Sequence, residues 1–125
     1  MKPECFIFCK FKILLGLCTH YVAEMVSSSD TLKTEIVGAC RLFADGKVSR
    51  VVVHPSYQSK GIGTMVMRSM EKHAVEKLKM ENLYVEAYNP VVPYYERLGY
   101  TVVAGAPPVK ISEDVVCTLM EKRFS

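Results

Sequence analysis

The sequence predicts a mixed α/β (α+β) fold, with a mainly antiparallel sheet and helices beside it. Three observations carry that expectation. β-favouring runs are separated by short turn signals, one long stretch repeats its apolar residues every four positions, and a glycine-containing loop joins the most apolar run directly to that stretch.

Residues 1–20 offer no helix cap and no amphipathic period, so no element is assigned before Tyr21. Residues 21–26 are compact and β-favouring, and 35–43 read as their antiparallel partner, with Ser27-Ser28-Ser29-Asp30 as the hairpin loop. Asp45-Gly46 then supplies a tight turn into 48–53, an almost unbroken β-branched run that should be a central strand. His54-Pro55 ends it, because proline donates nothing to a ladder and restricts the residue before it. From 62 to about 80 the period is helical, with Ile62, Val66, Met70, Ala74 and Leu78 on one stripe and Arg68, Glu71, Lys72 and Lys79 off it. Residues 82–88 return to strand character. Pro90 and Pro93 bracket a connection into a brief helix at 94–98, which Gly99 stops as a left-handed residue. Two final strands, 100–103 and 115–120, flank a loop around Pro107-Pro108.

The 125 residues are half hydrophobic and 23% charged, which suits one folded domain spanning 1–125, with 1–20 its atypical part. A net charge of +3 without a basic run fits an anionic ligand and lacks the basic stripe with interleaved aromatics that nucleic acid would require. The five cysteines are odd in number and contain no CxxC pair, which indicates neither a disulfide framework nor a zinc site, and no metal is expected. Two lysines interrupt the apolar stretch 6–18, which is too short to span a bilayer and is a poor signal peptide. No membrane partner and a cytoplasmic, reducing location are the simplest expectations.

The most informative passage runs from Val51 to Thr64, where strand, short loop and helix stand in the order anion binding needs. The first N–H groups of a helix lack intrahelical partners and, with the macrodipole, favour a phosphate. Gly61 and Gly63 allow close backbone approach, and Lys60 adds charge. The loop has neither the spacing of a nucleotide P-loop nor the third glycine of a dinucleotide fingerprint.

Gln58-Ser59-Lys60-Gly61-Ile62-Gly63 resembles the Gln/Arg-x-x-Gly-x-Gly/Ala loop of the GCN5-related N-acetyltransferases (GNAT family). Val92-Pro93-Tyr94-Tyr95-Glu96-Arg97-Leu98-Gly99-Tyr100 is similar to that family's second signature. The resemblance is good over 35–100 and weaker to 124. It is closest to the ElaA-type branch in Gly38-Ala39-Cys40-Arg41-Leu42 and in Val51-Val52-Val53-His54-Pro55. It implies the GNAT fold, whose two central parallel strands, here 48–53 and 83–88, splay to admit the pantetheine arm of acetyl-CoA. It further implies that backbone at Val51 and Val53 meets the pantetheine, that Gln58, Ser59, Lys60, Gly61, Ile62, Gly63 and Thr64 surround the pyrophosphate, and that Asn89 reaches the cofactor.

The implied reaction is direct transfer of the acetyl group of acetyl-CoA to a primary amine, on a small molecule, a polyamine or a protein, in a ternary complex. Tyr95 stands at the position of the tyrosine that protonates the leaving sulfur, and Tyr94 reads as core. No carboxylate lies on 48–53, where many relatives place the general base. Glu86 is the candidate base, with Glu35 or Tyr88 acting through water as alternatives, while His54 reads as a rim residue and His73 as a surface or partly buried one. Family members usually place a strand and two helices before the first hairpin, and these wall the acceptor site. With only about twenty residues here, that wall is reduced, altered or supplied by a homodimer partner. A non-catalytic or truncated acetyl-CoA-binding protein therefore stands beside the enzyme reading.

Overall fold

The computed structural model describes residues 5–14, 18–27 and 34–124. Eight strands and two helices form one sheet with the helices against it: β1 (Cys5–Leu14), β2 (Cys18–Ser27), β3 (Thr34–Phe43), β4 (Lys47–Val53), α1 (Ile62–Glu76), β5 (Asn82–Tyr88), α2 (Val92–Arg97), β6 (Thr101–Val102), β7 (Val109–Lys110) and β8 (Val116–Arg123). Short 3₁₀ turns at Pro55–Tyr57 and Asn89–Val91 lead into the two helices. The strand order is β1-β2-β3-β4-β5-β8-β6, with β7 on β8, so the apolar run that the sequence marks as central sits in the middle.

The expectation of no element before Tyr21 is corrected. β1 pairs antiparallel with β2 along its whole length, from Cys5↔Ser27 to Leu14↔Cys18. The alternation of Lys10 and Lys12 with Cys9, Phe11 and Ile13 is the strand period that a search for helices passed over. The hairpin-loop reading of Ser27-Ser28-Ser29-Asp30 falls mostly on residues 28–33, outside the described residues.

β3 and β4 meet through the Asp45-Gly46 turn. Gly46 has φ +96°, and a Cβ there would stand 2.7 Å from the carbonyl oxygen of Asn82, so only glycine fits. Asp45 accepts from the Lys47 N–H (3.0 Å) and from the Tyr84 hydroxyl (2.6 Å). The Tyr84 bond is the main reason its carboxyl is held below the usual range. Between Ala39↔Val52 and Arg41↔Ser49 the register slips by one, a bulge in which Arg50 takes a left-handed φ of 52°.

β4 and β5 are the one parallel pair in the described sheet, and they pair only at Lys47↔Tyr84 and Val48↔Val85. Beyond Val48 the two strands part. The rest of the sheet is antiparallel, including seven consecutive pairs between β5 and β8.

One face of the sheet is covered. Ile62, Val66, Met67, Met70 and Ala74 of α1 are buried against Tyr21, Ala23, Cys40 and Leu42, each worth about 1.5–3 kcal/mol for the larger apolar side chains. α1 ends at Glu76 and not near residue 80, a second correction. Lys79 is left-handed at φ 58°, and the N–H groups of Leu78 and Met80 turn back onto the carbonyls of His73 and Ala74, which leaves Leu78 outside the stripe. The opposite face has no covering among the described residues, and Ile36 and Val52 are 58% and 57% exposed on it.

Candidate active site

Where β4 leaves β5, its outer half borders a cavity of about 640 Å³. Val51 and Val53 form one wall, Tyr57, Gln58, Ser59 and Gly61 the loop side, Ile62, Gly63 and Thr64 the first turn of α1, and Val91, Tyr94, Tyr95 and Arg97 the wall from α2 and the turn before it. Of the residues singled out from sequence, Val51, Val53, Gln58, Ser59, Gly61, Ile62, Gly63, Thr64 and Tyr95 line this space; Lys60, Asn89 and Glu86 do not.

The loop that borders the cavity holds two residues in left-handed backbone conformations. Ser59 and Gly61 are both left-handed, at φ 66° and 77°, and for serine that conformation is strained by roughly 1–2 kcal/mol. The first helical bond of α1 is Met65 N–H to Gly61 C=O at 3.0 Å, so the N–H groups of Ile62, Gly63 and Thr64 precede it. No acidic side chain sits in the first turn of α1. Among the described residues that line the cavity the one charged side chain is Arg97, a cation. These groups together make the cavity complementary to an anion at one end, while the valines and tyrosines keep the rest apolar.

Gly63 turns out to have a packing reason as well. A Cβ at this position would meet the Tyr94 hydroxyl at 2.7 Å and Val53 Cγ2 at 3.3 Å, so the glycine lets the two sequence motifs touch. Gly63→Ala is expected to lower stability by about 1–3 kcal/mol through overpacking, read from urea unfolding. In the double variant with Tyr94→Phe most of that loss should be recovered, because the crowded oxygen is gone; an unrelieved loss would refute the contact as its cause.

Tyr95 is buried among tyrosines, edge-to-face with Tyr94 at 5.3 Å and with Tyr100 at 6.0 Å. Burial, chiefly, with smaller contributions from Tyr94 and Cys40, pushes its phenol up to about 12, so it holds its proton throughout the neutral range. The Tyr94 hydroxyl is buried, and burial, chiefly, raises its pKa too, with the nearby Thr64 side chain opposing the rise.

The candidate bases lie elsewhere. Glu86 stands on β5 between the buried Val85 and Ala87 and so projects to the open face, where its carboxylate is 3.3 Å from Lys47 Nζ. Tyr88 lies on that same open face and is largely exposed. Glu35 accepts from the Tyr57 hydroxyl at 3.3 Å and lies 3.6 Å from His54 Nε2. His54 Nδ1 accepts the Ser56 N–H, which fits the rim role read from sequence. His73 Nδ1 is 2.6 Å from the Tyr21 hydroxyl and partly buried. Lys60 is exposed, and Asn89 Oδ1 accepts from the Thr118 hydroxyl at 2.6 Å. Arg97 and Tyr57 were missed from sequence; Arg97 lies inside the second motif, whose tyrosine and glycine drew the attention. Among the described residues no three His, Cys, Asp or Glu side chains gather as a metal site needs.

Residues 23–124 match the model of the acetyltransferase (GNAT) domain. The chain belongs to the GNAT family. Among curated proteins, this GNAT chain is 30% identical over 76 residues to the uncharacterized N-acetyltransferase YjcF of Bacillus subtilis (strain 168), a match over 55% of the chain and 54% of YjcF. It thus spans about half the length of that relative. Its fold resembles those of Vibrio cholerae spermidine N-acetyltransferase in complex with CoA and spermine (TM-score 0.68, 15% identity, 86% of this chain and 66% of that one) and of Escherichia coli ElaA (TM-score 0.65, 15% identity, 85% and 68%). An acyl-CoA N-acyltransferase from Pseudomonas aeruginosa is a third such structure (TM-score 0.63, 19% identity, 84% and 68%). The GNAT fold expected from the two motifs is therefore the fold found, with its mainly antiparallel sheet and one parallel pair.

Proposed function

We propose that this GNAT domain, acting as a single domain over 1–125, binds acetyl-CoA in the cavity beside β4 and transfers its acetyl group to a primary amine. The observation that carries the reading is the cavity itself: it runs from the unpaired edge of β4 at Val51 and Val53 to the amides of the α1 N-terminus, and no carboxylate lines it. An extended amide-bearing arm suits the strand edge, and a pyrophosphate suits the helix start.

Bound acetyl-CoA supplies an acetyl thioester. In the transfer a bond forms between the amine nitrogen and the acetyl carbon, the carbon–sulfur bond breaks, and the thiolate leaves. Tyr95 gives its phenolic proton to that sulfur, for which a phenol with a pKa of about 12 is always charged with its proton at pH 7. The amine must enter neutral, and Glu86 on the open face, 3.3 Å from Lys47 Nζ, takes its excess proton directly or through water. The cycle closes when Glu86 releases its proton to solvent and Tyr95 regains one from it. Gln58, Ser59, Gly61, Ile62, Gly63 and Thr64 hold the pyrophosphate, with Lys60 and Asn89 at the periphery.

The pairing of Glu86 with Lys47, away from the cavity, favours the second reading, a binder of acetyl-CoA without turnover. Acetyl-CoA consumption with a panel of amines separates the two. Free thiols at Cys18 and Cys117 agree with a reducing cytoplasmic home, and no described helix is long and apolar enough to cross a membrane.

Acetyl-CoA at a hundred times its Kd should stabilise the folded protein by about 2.7 kcal/mol, seen as a rise in Tm. Gly61→Asp should fold, since a Cβ there meets nothing within 4 Å and aspartate is a good N-cap that tolerates positive φ. Its carboxylate would occupy the amides and repel phosphate, so the rise in Tm should vanish. A full rise in this variant would remove the α1 N-terminus from the site.

A further inference from the structure

Arg41 lies on β3 between Cys40 and Leu42, both buried against α1, and therefore projects to the open face of the sheet. Its Nε is buried and has no hydrogen-bond partner among the described residues. A buried N–H donor left in that state is costly unless something else completes it. Its neighbours in register are His20 on β2 and Ser49 on β4, neither of them an anion. The nearest carboxylate along the same row is Glu86 on β5, which Lys47 already engages. The row crosses the sheet at the level where β4 and β5 part, so Arg41 and Glu86 stand farther apart than the roughly 10 Å of two ordinary strand spacings.

We propose that Arg41 binds an anionic group of the acceptor, so that the amine acetylated here belongs to a small zwitterion, an amine that also carries a carboxylate or a phosphate. This rests on the acetyltransferase reading above. Arg41 grips the oxyanion through its forked N–H donors while the amine end reaches toward Glu86 and the splay. A polycation is disfavoured, because its charges would meet Arg41 and Lys47 on the same face.

The test compares matched acceptors: a set of α-amino acids against the same compounds as amides, O-phosphoethanolamine against ethanolamine, and spermidine, each by kcat/KM for wild type and Arg41→Gln, with folding checked by circular dichroism. Wild type should prefer one anionic set over its neutral partners by roughly 10–100-fold, the scale of a charge-assisted hydrogen bond. A preference for the amino acids identifies a carboxylate, and one for O-phosphoethanolamine a phosphate. In Arg41→Gln that ratio should collapse toward one, mainly through KM, and Arg41→Lys should restore part of it. Equal rates for acids and amides, spermidine as the best acceptor, or a ratio unmoved by Arg41→Gln would overturn the proposal. Calorimetric titration of the same proteins with acetyl-CoA separates the two levels: binding without anion preference refutes the Arg41 subsite alone, and absence of binding refutes the acetyltransferase reading beneath it.

Discussion

Tyr95→Phe is expected to bind acetyl-CoA about as well as wild type while turnover falls roughly 10–1000-fold, the range lost with a general acid. The substitution removes one oxygen from a ring that is buried and packed edge-to-face between Tyr94 and Tyr100, so the geometry of the cavity wall is kept. The oxygen itself lacks a hydrogen bond to any described residue, so no structural partner is orphaned by its loss. The pH dependence follows from the raised phenol. An acid must be protonated to act, and a pKa lifted from 10.0 to about 12 moves its alkaline limb up, so wild type should show no loss of rate assignable to this residue below about pH 11. Tyr95→Ala should weaken cofactor binding as well, through lost contact area. Rates at saturating acetyl-CoA with one active amine decide the matter, and a fully active phenylalanine variant would exclude the phenol as proton donor.

Glu71→Ala should be the most destabilising single change outside the apolar core, at about 3–5 kcal/mol, the cost of removing one partner from a buried ionic cluster. Glu71 is 4% exposed in the middle of α1. Its carboxylate is 2.9 Å from Arg68 Nη1 and 3.3 Å from Lys122 Nζ on β8, and both cations also donate to the Leu98 carbonyl at the end of α2. Without the carboxylate, Lys122 is left as a largely buried charge over the rings of Tyr100 and Phe124. At about 3–5 °C per kcal/mol for a chain of this size, Tm should fall by roughly 9–25 °C. Arg68→Ala, at a half-exposed position, should cost far less. A loss below 1 kcal/mol for Glu71→Ala would mean that the cluster is not stabilising.

Glu71 also marks the limit of what sequence periodicity can say. The four-residue stripe on α1 was legible because apolar side chains have nowhere else to go, yet the same rule puts a glutamate on the wet face. Its burial is sustained by Arg68 one turn before it and by Lys122, which arrives from β8, 51 residues later. The central strand, the glycine loop and the tight Asp45-Gly46 turn were readable because each needs a local residue type. By contrast, the cavity position of Arg97 and the pairing of Glu86 with Lys47 depend on which strands become neighbours, and the end of α1 depends on a left-handed lysine that no composition rule favours. β1 was legible in its alternating lysines.

The brief contact between β4 and β5 divides the sheet into two halves that share one hydrophobic core. One comprises β1 to β4 with most of α1; the other comprises β5, β8 and the short strands on it. They are riveted by two backbone pairs, by Asp45 and Gly46 holding Tyr84, and by the Glu71 cluster on the far side. Native-state opening should therefore begin at this seam and not at the sheet edges, with the outer amides of β4 exchanging long before those of β3 or β8. A guest arm lying along β4 would act as a missing strand shared by both halves, and the protein would fold more nearly as one body with its substrate than without it.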